Sequence, residues 1–151
     1  MTPSILLTFK KLHPQAAIPR YQTNFAAGFD FHAVVDEALS FNQQIKKDAK
    51  GDVYLDIYPS QKGIVTTGLS VAIPLGYEIQ IRPRSGLAFR NSIIIHFGTV
   101  DEDFKGEIKI ALFNLGNSPF RIYHGDRIAQ GVIKRVQRAG IIEVEEFLKK
   151  I

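Results

Sequence analysis

The chain has 151 residues, a hydrophobic fraction of 45% and a formal net charge of +4, values typical of one soluble globular domain. It contains no cysteine, which excludes disulfides, thiolate metal sites and a cysteine nucleophile, and suits a reducing compartment such as the cytoplasm. No apolar run approaches the roughly 20 residues that span a bilayer, and the first residues lack the pattern of a signal peptide. The scattered basic residues favour a small anionic ligand, so we expect neither membrane binding nor direct nucleic-acid binding.

Period-two alternation predicts β-strands along most of the chain. The clearest runs are residues 77–82 and 107–112, in which every second side chain is apolar. In chain order, the β-rich runs cover residues 5–12, 64–73, 77–82, 92–97, 107–112, 120–123 and 128–136. Turns rich in Gly, Pro, Asn and Asp separate them. Many short strands of this kind predict an all-β fold, a jelly-roll-like β-barrel or sandwich.

Helical signal is confined to residues 87–91, where we expect one short helical turn after Ser85 and Gly86. Residues 42–52 are polar and rich in lysine, a pattern typical of an exposed hairpin tip or a mobile loop. Neither an internal repeat nor a linker divides the sequence. We therefore expect residues 1–151 to form a single domain.

Four segments place glycine beside charged or hydroxyl residues at predicted strand ends. They read AGFDFHA at residues 27–33, PRSGLA at 83–88, GTVDEDFKGE at 98–107 and GDRIAQ at 125–130. Each alone has an ordinary structural explanation, because glycine permits turns and Asp closes them through side-chain hydrogen bonds. All four together, in this order in one small β protein, indicate a functional site.

The second and fourth segments have the chemistry of a phosphate site. A phosphate chain needs a cation, hydroxyls and free backbone N–H groups that converge on its oxygens. Arg84 offers a planar fork of donors, Ser85 a hydroxyl, and Gly86 a backbone that can approach closely. Gln130 adds a neutral donor. These four residues are the candidate phosphate contacts.

The ordered set closely resembles the trimeric dUTPases, whose first four motifs read approximately A-G-x-D-L-x-A, R-S-G-L-A, G-x-[IV]-D-x-x-Y-x-G and G-D-R-I-A-Q. The resemblance covers residues 27–130. It implies a jelly-roll-like homotrimer with active sites shared between subunits, with Mg²⁺ as cofactor. It also implies hydrolysis of dUTP to dUMP and pyrophosphate, which limits uracil in DNA and supplies dUMP for thymidylate synthesis.

The resemblance also implies roles for individual acidic and basic residues. Asp101 matches the catalytic carboxylate that orients and deprotonates the water attacking the α-phosphorus in line with the leaving group. Asp30 matches a carboxylate that supports the metal site indirectly, through water. Asp126 and Arg127 are expected mainly to hold the structure, and Arg84 and Arg127 to pair with acidic residues such as Asp30 and Asp126. Direct contact between Arg127 and the ligand stays open.

Base selection is expected in a β-hairpin formed by residues 92–98 and 107–114. In the resembled family, backbone N–H and C=O groups of this hairpin mimic a pairing partner for uracil, and cytosine leaves such groups unpaired. The candidate uracil and deoxyribose contacts are Gly98, Thr99, Val100, Phe104 and Lys109.

Two departures from the family pattern leave other functions open. Phe104 stands where the family usually has Tyr, which favours a dCTP deaminase-type enzyme of the same fold. The glycine-rich fifth motif, R-G-x-G-G-F-G-S-T-G, is absent from residues 1–151, and we expect it in an arm that follows Ile151. A chain without this arm is expected to be weakly active, or to be a catalytically idle trimer that binds nucleotide or a protein partner. A purely structural jelly roll, as in coat proteins, would not explain the four motifs.

Overall fold

The structure, a computed structural model, describes residues 5–39 and 45–147. The strands are β1 (Thr8–Lys11), β2 (Arg20–Tyr21), β3 (Phe29–His32), β4 (Lys46–Lys47), β5 (Val53–Ile57), β6 (Lys62–Thr66), β7 (Leu69–Ala72), β8 (Tyr77–Arg82), β9 (Ile93–Ile95), β10 (Gly98–Val100), β11 (Lys109–Asn114), β12 (Phe120–Tyr123) and β13 (Arg127–Arg135). The one α-helix of the described part is α1 (Ser85–Asn91), and a 3-10 turn covers Glu37–Leu39. The prediction of an all-β fold with one short helical turn is confirmed.

The described strands form four antiparallel sheets around a common core. The largest, here called the main sheet, has the order β10-β8-β13-β3-β2. The other sheets have the orders β6-β11-β9, β12-β5-β4 and β1-β7. Each contributes fully buried apolar side chains to one cluster, for example Phe31, Leu112, Ile57 and Leu69. The arrangement is jelly-roll-like, as predicted. No helix in residues 5–39 and 45–147 has the length and apolar character needed to cross a membrane.

The alternation in β8 shows why the sequence folds into strands. Ile79 and Ile81 lie in the core, whereas Glu78 before them and Gln80 between them are half-exposed. Residues of one face of a strand recur with a period of two, so this pattern fixes the register against a buried core. The bounds predicted for this strand and for β12 are confirmed to the residue.

The β-rich run over residues 64–73 contains two strands. The run is divided at Thr67 and Gly68 into β6, which pairs with β11, and β7, which pairs with β1. Gly68 has a φ of 65°, which a strand does not allow. The Thr67 hydroxyl donates a hydrogen bond of 2.7 Å to the carbonyl of Ile108 and holds the break.

Several other bounds differ from the prediction. Residues 107–112 were expected as a strand, but β11 begins at Lys109, because Ile108 bonds instead to Leu69 and Thr67 at the break between β6 and β7. Helix α1 begins two residues before the expected helical turn, at Ser85. Strands β3 and β5, which the alternation did not indicate, are both half or fully buried and so lack a regular polar face.

Of residues 42–52, the first three lie outside the described part. The remainder forms the hairpin expected as one alternative, because β4 pairs with β5 across a turn at Asp48. The Asp48 carboxylate accepts a hydrogen bond from the backbone N–H of Asp52 at 3.0 Å and another from the Tyr123 hydroxyl at 3.2 Å. The turn is therefore held by specific bonds. That residues 1–151 form a single domain, and that an arm follows them, stay predictions.

Candidate functional site

A cavity of about 510 Å³ lies at the end of the main sheet where β8 leads into α1. Its lining residues are Gln22, Ala26, Gly28, Asp30, Arg84, Ser85, Gly86, Leu87, Arg90, Asn91, Arg127 and Gln130. It brings together all four candidate phosphate contacts, although Gln130 is more than 40 residues from the others in the sequence. The strand order explains this, because β13 lies between β8 and β3.

Asp30 is the centre of an ion-pair cluster at the cavity wall. It is only 6% exposed. Its Oδ1 accepts a hydrogen bond from Arg84 Nε at 3.0 Å, and its Oδ2 accepts one from Arg127 Nη1 at 3.4 Å. A carboxylate this deeply buried is stable only when it is paired. The expected pairing of both arginines with Asp30 is therefore present, and it fixes their direction.

A β-bulge in β13 places Arg127 and Gln130 on one face of the main sheet. Arg127 lies opposite His32, and Gln130 lies opposite Asp30. Arg127 and Gln130 are three residues apart along β13, whereas His32 and Asp30 are two residues apart along β3. In a regular strand, residues three apart point to opposite faces. The extra residue of the bulge corrects this and turns both side chains toward the cavity.

Gln130 is held at the cavity by a backbone contact. Its Nε2 donates a hydrogen bond of 2.9 Å to the carbonyl of Pro83, the residue before the Arg84 loop. An amide nitrogen carries two protons, so one donor remains for a ligand. Gly28 leaves the room that this side chain occupies, because a Cβ there would lie 3.2 Å from Gln130 Cβ and closer still to its amide.

Asp126 has different partners from the arginines that were expected. It does not pair with an arginine among the described residues. Its carboxylate accepts a hydrogen bond of 2.9 Å from the backbone N–H of Tyr123, and its carbonyl accepts one of 2.8 Å from the N–H of Ala33. Asp126 thus closes the turn between β12 and β13 and joins it to β3.

His32 lies beside this cluster and is half-buried. Its Nδ1 is buried and has no hydrogen-bond partner in the part of the chain that the structure describes. Burial lowers the pKa of the His32 ring, and the charges of Arg127 and Arg84 lower it further, against the opposing effect of Asp30. His32 is therefore neutral at neutral pH and adds no charge to the cavity.

Asp101 lies outside the cavity, in a turn after β10. The turn is closed by a hydrogen bond of 3.1 Å from the Phe104 N–H to the Asp101 carbonyl. The Asp101 side chain is exposed, and no described residue makes a hydrogen bond or ion pair with its carboxylate. The neighbouring Glu102 accepts a hydrogen bond of 2.7 Å from the Gly76 N–H and so ties the turn to the next loop.

The candidate base and sugar contacts surround the same turn. Gly98, Thr99 and Val100 form β10, the edge strand of the main sheet, rather than part of a hairpin with β11. It is β9 that pairs with β11, so the expected hairpin is present only over Ile93–Ile95. Val100 is 7% exposed with its side chain in the core, so only its backbone can meet a ligand.

Phe104 and Lys109 are both exposed. Phe104 is 41% exposed, and its ring covers Gly106, where an added Cβ would lie 2.8 Å from the ring. Lys109 Nζ lies 3.9 Å from a carboxylate oxygen of Glu107. Neither residue lines the cavity that holds the phosphate candidates.

Asp101 and the Arg84 loop lie at opposite ends of β8. The antiparallel register sets Gly98 opposite Ile81 and Val100 opposite Ile79. Continued by one step, it places Asp101 beside Glu78, six residues from Arg84 along the strand direction. At about 3.3 Å per residue, the two backbones are about 20 Å apart. One chain therefore does not bring its own Asp101 to its own phosphate candidates.

The cavity also has polar lining residues that the motifs did not indicate. Gln22, Arg90 and Asn91 are polar or charged and face the same space as Ser85 and Gly86. Arg90 could have been found from the sequence, because residues four apart in a helix share a face and Arg90 follows Gly86 by four. Gln22 lies in an irregular segment that carried no such signal.

The sequence model of the dUTPase family matches residues 46–151. A deoxyuridine 5′-triphosphate nucleotidohydrolase of Helicobacter hepaticus is 44% identical over 143 residues, which are 93% of this chain and 79% of that protein. An enzyme of the same name from Wolinella succinogenes is 47% identical over 139 residues, which are 91% of this chain and 81% of that protein.

Solved structures show the same fold at lower identity. The dUTPase of Staphylococcus bacteriophage 80alpha has a TM-score of 0.78 and 22% identity, over 95% of this chain and 99% of that one. A mutant dUTPase from phage phi11 of S. aureus, described with a structural Mg(II) ion, has a TM-score of 0.77 and 21% identity, over 95% and 99%. The family match and the two bacterial relatives show that this chain belongs to the dUTPase family.

Proposed function

We propose that the chain is a dUTP diphosphatase, which hydrolyses dUTP to dUMP and pyrophosphate in a homotrimer with shared active sites. Family membership and the name shared by its relatives support this substrate. Such an activity would limit uracil in DNA and supply dUMP for thymidylate synthesis. The lack of cysteine supports a cytoplasmic location.

The separation of Asp101 from the phosphate cavity carries the proposal of a shared site. The two lie at opposite ends of β8, about 20 Å apart by strand geometry. A nucleotide held by the cavity can therefore meet only the Asp101 of another copy. Head-to-tail contacts of this kind close into a ring when the rotation allows it, and three copies then form three equivalent sites.

Asp101 is suited to orient the attacking water. Its carboxylate is exposed and engaged by no described side chain, so it is free to accept a proton. The water oxygen would bond to the α-phosphorus while the bond to the bridging oxygen of the pyrophosphate breaks, and the water's proton would pass to Asp101. A carboxylate is a weak base, so positioning and charge stabilisation supply most of the rate.

The cavity is suited to hold the phosphate chain. Ser85 offers a hydroxyl, Gly86 a backbone without a side chain, and Gln130 its second amide proton. Arg84 Nε donates to Asp30 and its Nη1 donates to the carbonyl of Arg127 at 3.4 Å, so Nη2 is the nitrogen that remains for phosphate. The buried ion pair with Asp30 therefore orients the Arg84 guanidinium before a ligand binds.

The residues present fit a Mg²⁺ ion that arrives with the nucleotide. Among the described residues, no group of three or more His, Cys, Asp or Glu side chains could hold a metal. Asp30 is the one carboxylate among the residues that line the cavity, and both its oxygens accept bonds from arginines. Asp30 would therefore reach the ion through water. Bound to the phosphates, Mg²⁺ would neutralise charge and fix their conformation.

The edge strand β10 is suited to select the base. No described strand pairs with its outer side, so its N–H and C=O groups on that side remain for a ligand. Uracil and cytosine present reversed donors and acceptors, and the wrong base leaves groups unpaired. Phe104 would pack on the deoxyribose, and Thr99 and Lys109 would line the same side.

The direct test is pyrophosphate release from dUTP, dTTP and dCTP with Mg²⁺ present. We expect dUTP to be preferred by orders of magnitude. Equal hydrolysis of all three would contradict base selection by β10. Ammonia release from dCTP would instead identify a deaminase, and nucleotide binding without turnover would identify an idle trimer.

A mixing experiment tests the shared site. Asp101→Asn removes the water-orienting group, and Ser85→Glu places a negative charge in the phosphate cavity at an exposed position. Each variant alone is expected to be inactive. Refolded together at equal amounts, they should regain about a quarter of the wild-type rate, since that share of interfaces joins an intact cavity to an intact Asp101. No recovery in mixed trimers would place both groups in one chain.

A further inference from the structure

Arg90 is a basic residue of the cavity to which the motifs assign no role. It lies in the last turn of α1 and lines the same cavity as Ser85 and Gly86. Its side chain is exposed, so it plays no part in the core.

The geometry of α1 directs Arg90 toward the phosphate candidates. Side chains on a helix point back toward its N-terminus, so a residue covers the turn before its own Cα. The guanidinium carbon of Arg90 lies 4.0 Å from the point where a Cβ on Gly86 would be. Because Gly86 has no side chain, space remains at this point, and the Arg90 guanidinium lies beside that space.

The charges of the cavity distinguish Arg90 from the other two arginines. Arg84 and Arg127 both donate to Asp30, which neutralises part of their charge and uses part of their donor forks. The Arg90 side chain makes no ion pair or hydrogen bond with any described residue. All five of its N–H donors are therefore available to a ligand.

We propose that Arg90 binds the phosphate chain of the nucleotide as a further polyphosphate contact, beside Ser85, Gly86 and Gln130. The inference rests on the proposed function for the identity of the nucleotide, but not for the chemistry of the cavity. The planar donor fork of a free guanidinium can bind two oxygens of one tetrahedral phosphate group at once, and the glycine-lined loop leaves room for that group.

The test uses inorganic tripolyphosphate as the probe, measured by calorimetry on the assembled protein. Arg90→Gln removes the charge and the fork, whereas Arg90→Lys keeps the charge alone. Arg138→Gln is the matched control, since it removes an exposed arginine from outside the cavity. We expect Arg90→Gln to weaken binding by roughly 10- to 100-fold, Arg90→Lys by less, and Arg138→Gln not at all.

Equal weakening by Arg90→Gln and Arg138→Gln would show only a general charge effect and would overturn the proposal, as would unchanged binding by Arg90→Gln. Failure of the wild-type protein to bind tripolyphosphate would also overturn it. The protein could also bind tripolyphosphate through Arg90 and yet release no pyrophosphate from dUTP. That result would contradict the proposed function but support this inference.

Steady-state kinetics provide a second test, because loss of a purely structural residue would not change KM for dUTP. Arg90→Gln should raise KM for dUTP by about the factor seen with tripolyphosphate while kcat changes little, because the contact is made in both ground and transition states. The melting temperature should stay that of the wild type, because Arg90 makes no contact that holds the fold. A lower melting temperature with unchanged KM would assign Arg90 to stability alone.

Discussion

The two halves of the proposed site differ in how far one chain completes them. The phosphate half is a walled cavity, and its central carboxylate, Asp30, is buried between two arginines. The other half is an edge strand and an exposed turn, in which the Asp101 carboxylate has no described partner. The phosphate half is therefore preorganised by the fold, whereas the described part of one chain supplies no partner for the Asp101 half.

This difference separates stability from catalysis. A residue that is paired and buried contributes to both, because its removal leaves partners unsatisfied. An exposed residue without partners can contribute to the reaction and cost nothing in folding. Conservative substitutions in the phosphate half should therefore lower stability, whereas those in the Asp101 half should lower turnover and leave stability unchanged.

The largest expected effect is that of Asp101→Asn on turnover. Removal of a general base typically costs a factor of about 10² to 10⁴, so kcat for dUTP should fall by roughly a thousandfold. Because the side chain is exposed and unengaged, the free energy of unfolding should change by less than about 0.5 kcal/mol. Steady-state kinetics and urea unfolding of the same preparation measure both. Undiminished turnover would remove Asp101 from this role.

Asp30→Asn, in contrast to Asp101→Asn, should markedly lower the free energy of unfolding. The change leaves Arg84 and Arg127 without their anion, and such losses in buried pairs cost several kcal/mol. Arg84 and Arg127 are themselves 28% and 44% exposed, so we expect a smaller loss of about 2 kcal/mol in the free energy of unfolding. Asp103→Asn, at an exposed position, is the matched control. Equal stability of the two variants would contradict a preorganised phosphate half.

The β-bulge explains why the sequence predicts the members of the phosphate half but not their arrangement. The motifs indicated Arg127 and Gln130, yet regular alternation would send residues three apart to opposite faces. Only the register against His32 and Asp30 shows that they share a face. A bulge depends on the pairing strand, which lies far away in the sequence.

Burial explains the other differences between sequence and structure. Alternation predicted β8 to the residue because one face of this strand is less buried than the other, and the β-rich run 120–123 predicted β12 to the residue. It failed for β3, where three successive residues are buried and no alternation exists. The position of Asp101 relative to Arg84 was also beyond a single sequence, since it follows from the pairing of β10 with β8.

A smaller effect is expected from Gly131→Ala, which tests the rigidity of the pairing between β13 and β3. A Cβ at Gly131 would lie 2.5 Å from the ring of Phe29 and 2.8 Å from that of Phe31, both buried in the core. Overpacking of this kind should cost roughly 1–2 kcal/mol of unfolding free energy and loosen the strand that carries Gln130.

Gly140→Ala is its control, because nothing lies within 4 Å of the added carbon. Urea unfolding should separate the two variants, and dUTP binding should weaken only in the first. If Gly131→Ala were as stable as the wild type, the packing of Phe29 and Phe31 would be softer than the structure indicates.

The smallest expected effect is a pH dependence of the phosphate half that comes from His32. Burial holds the pKa of the folded ring below its usual value of about 6.5, which the unfolded chain retains. As the pH falls below 6.5, the unfolded state therefore binds a proton that the folded state does not yet bind, and stability decreases. Above 6.5 both states are neutral and the contribution is constant. His32→Gln should lose less stability than the wild type between pH 7 and pH 5.5, measured as the difference in melting temperature. Equal slopes for the two proteins would show that the environment of His32 does not oppose its charge.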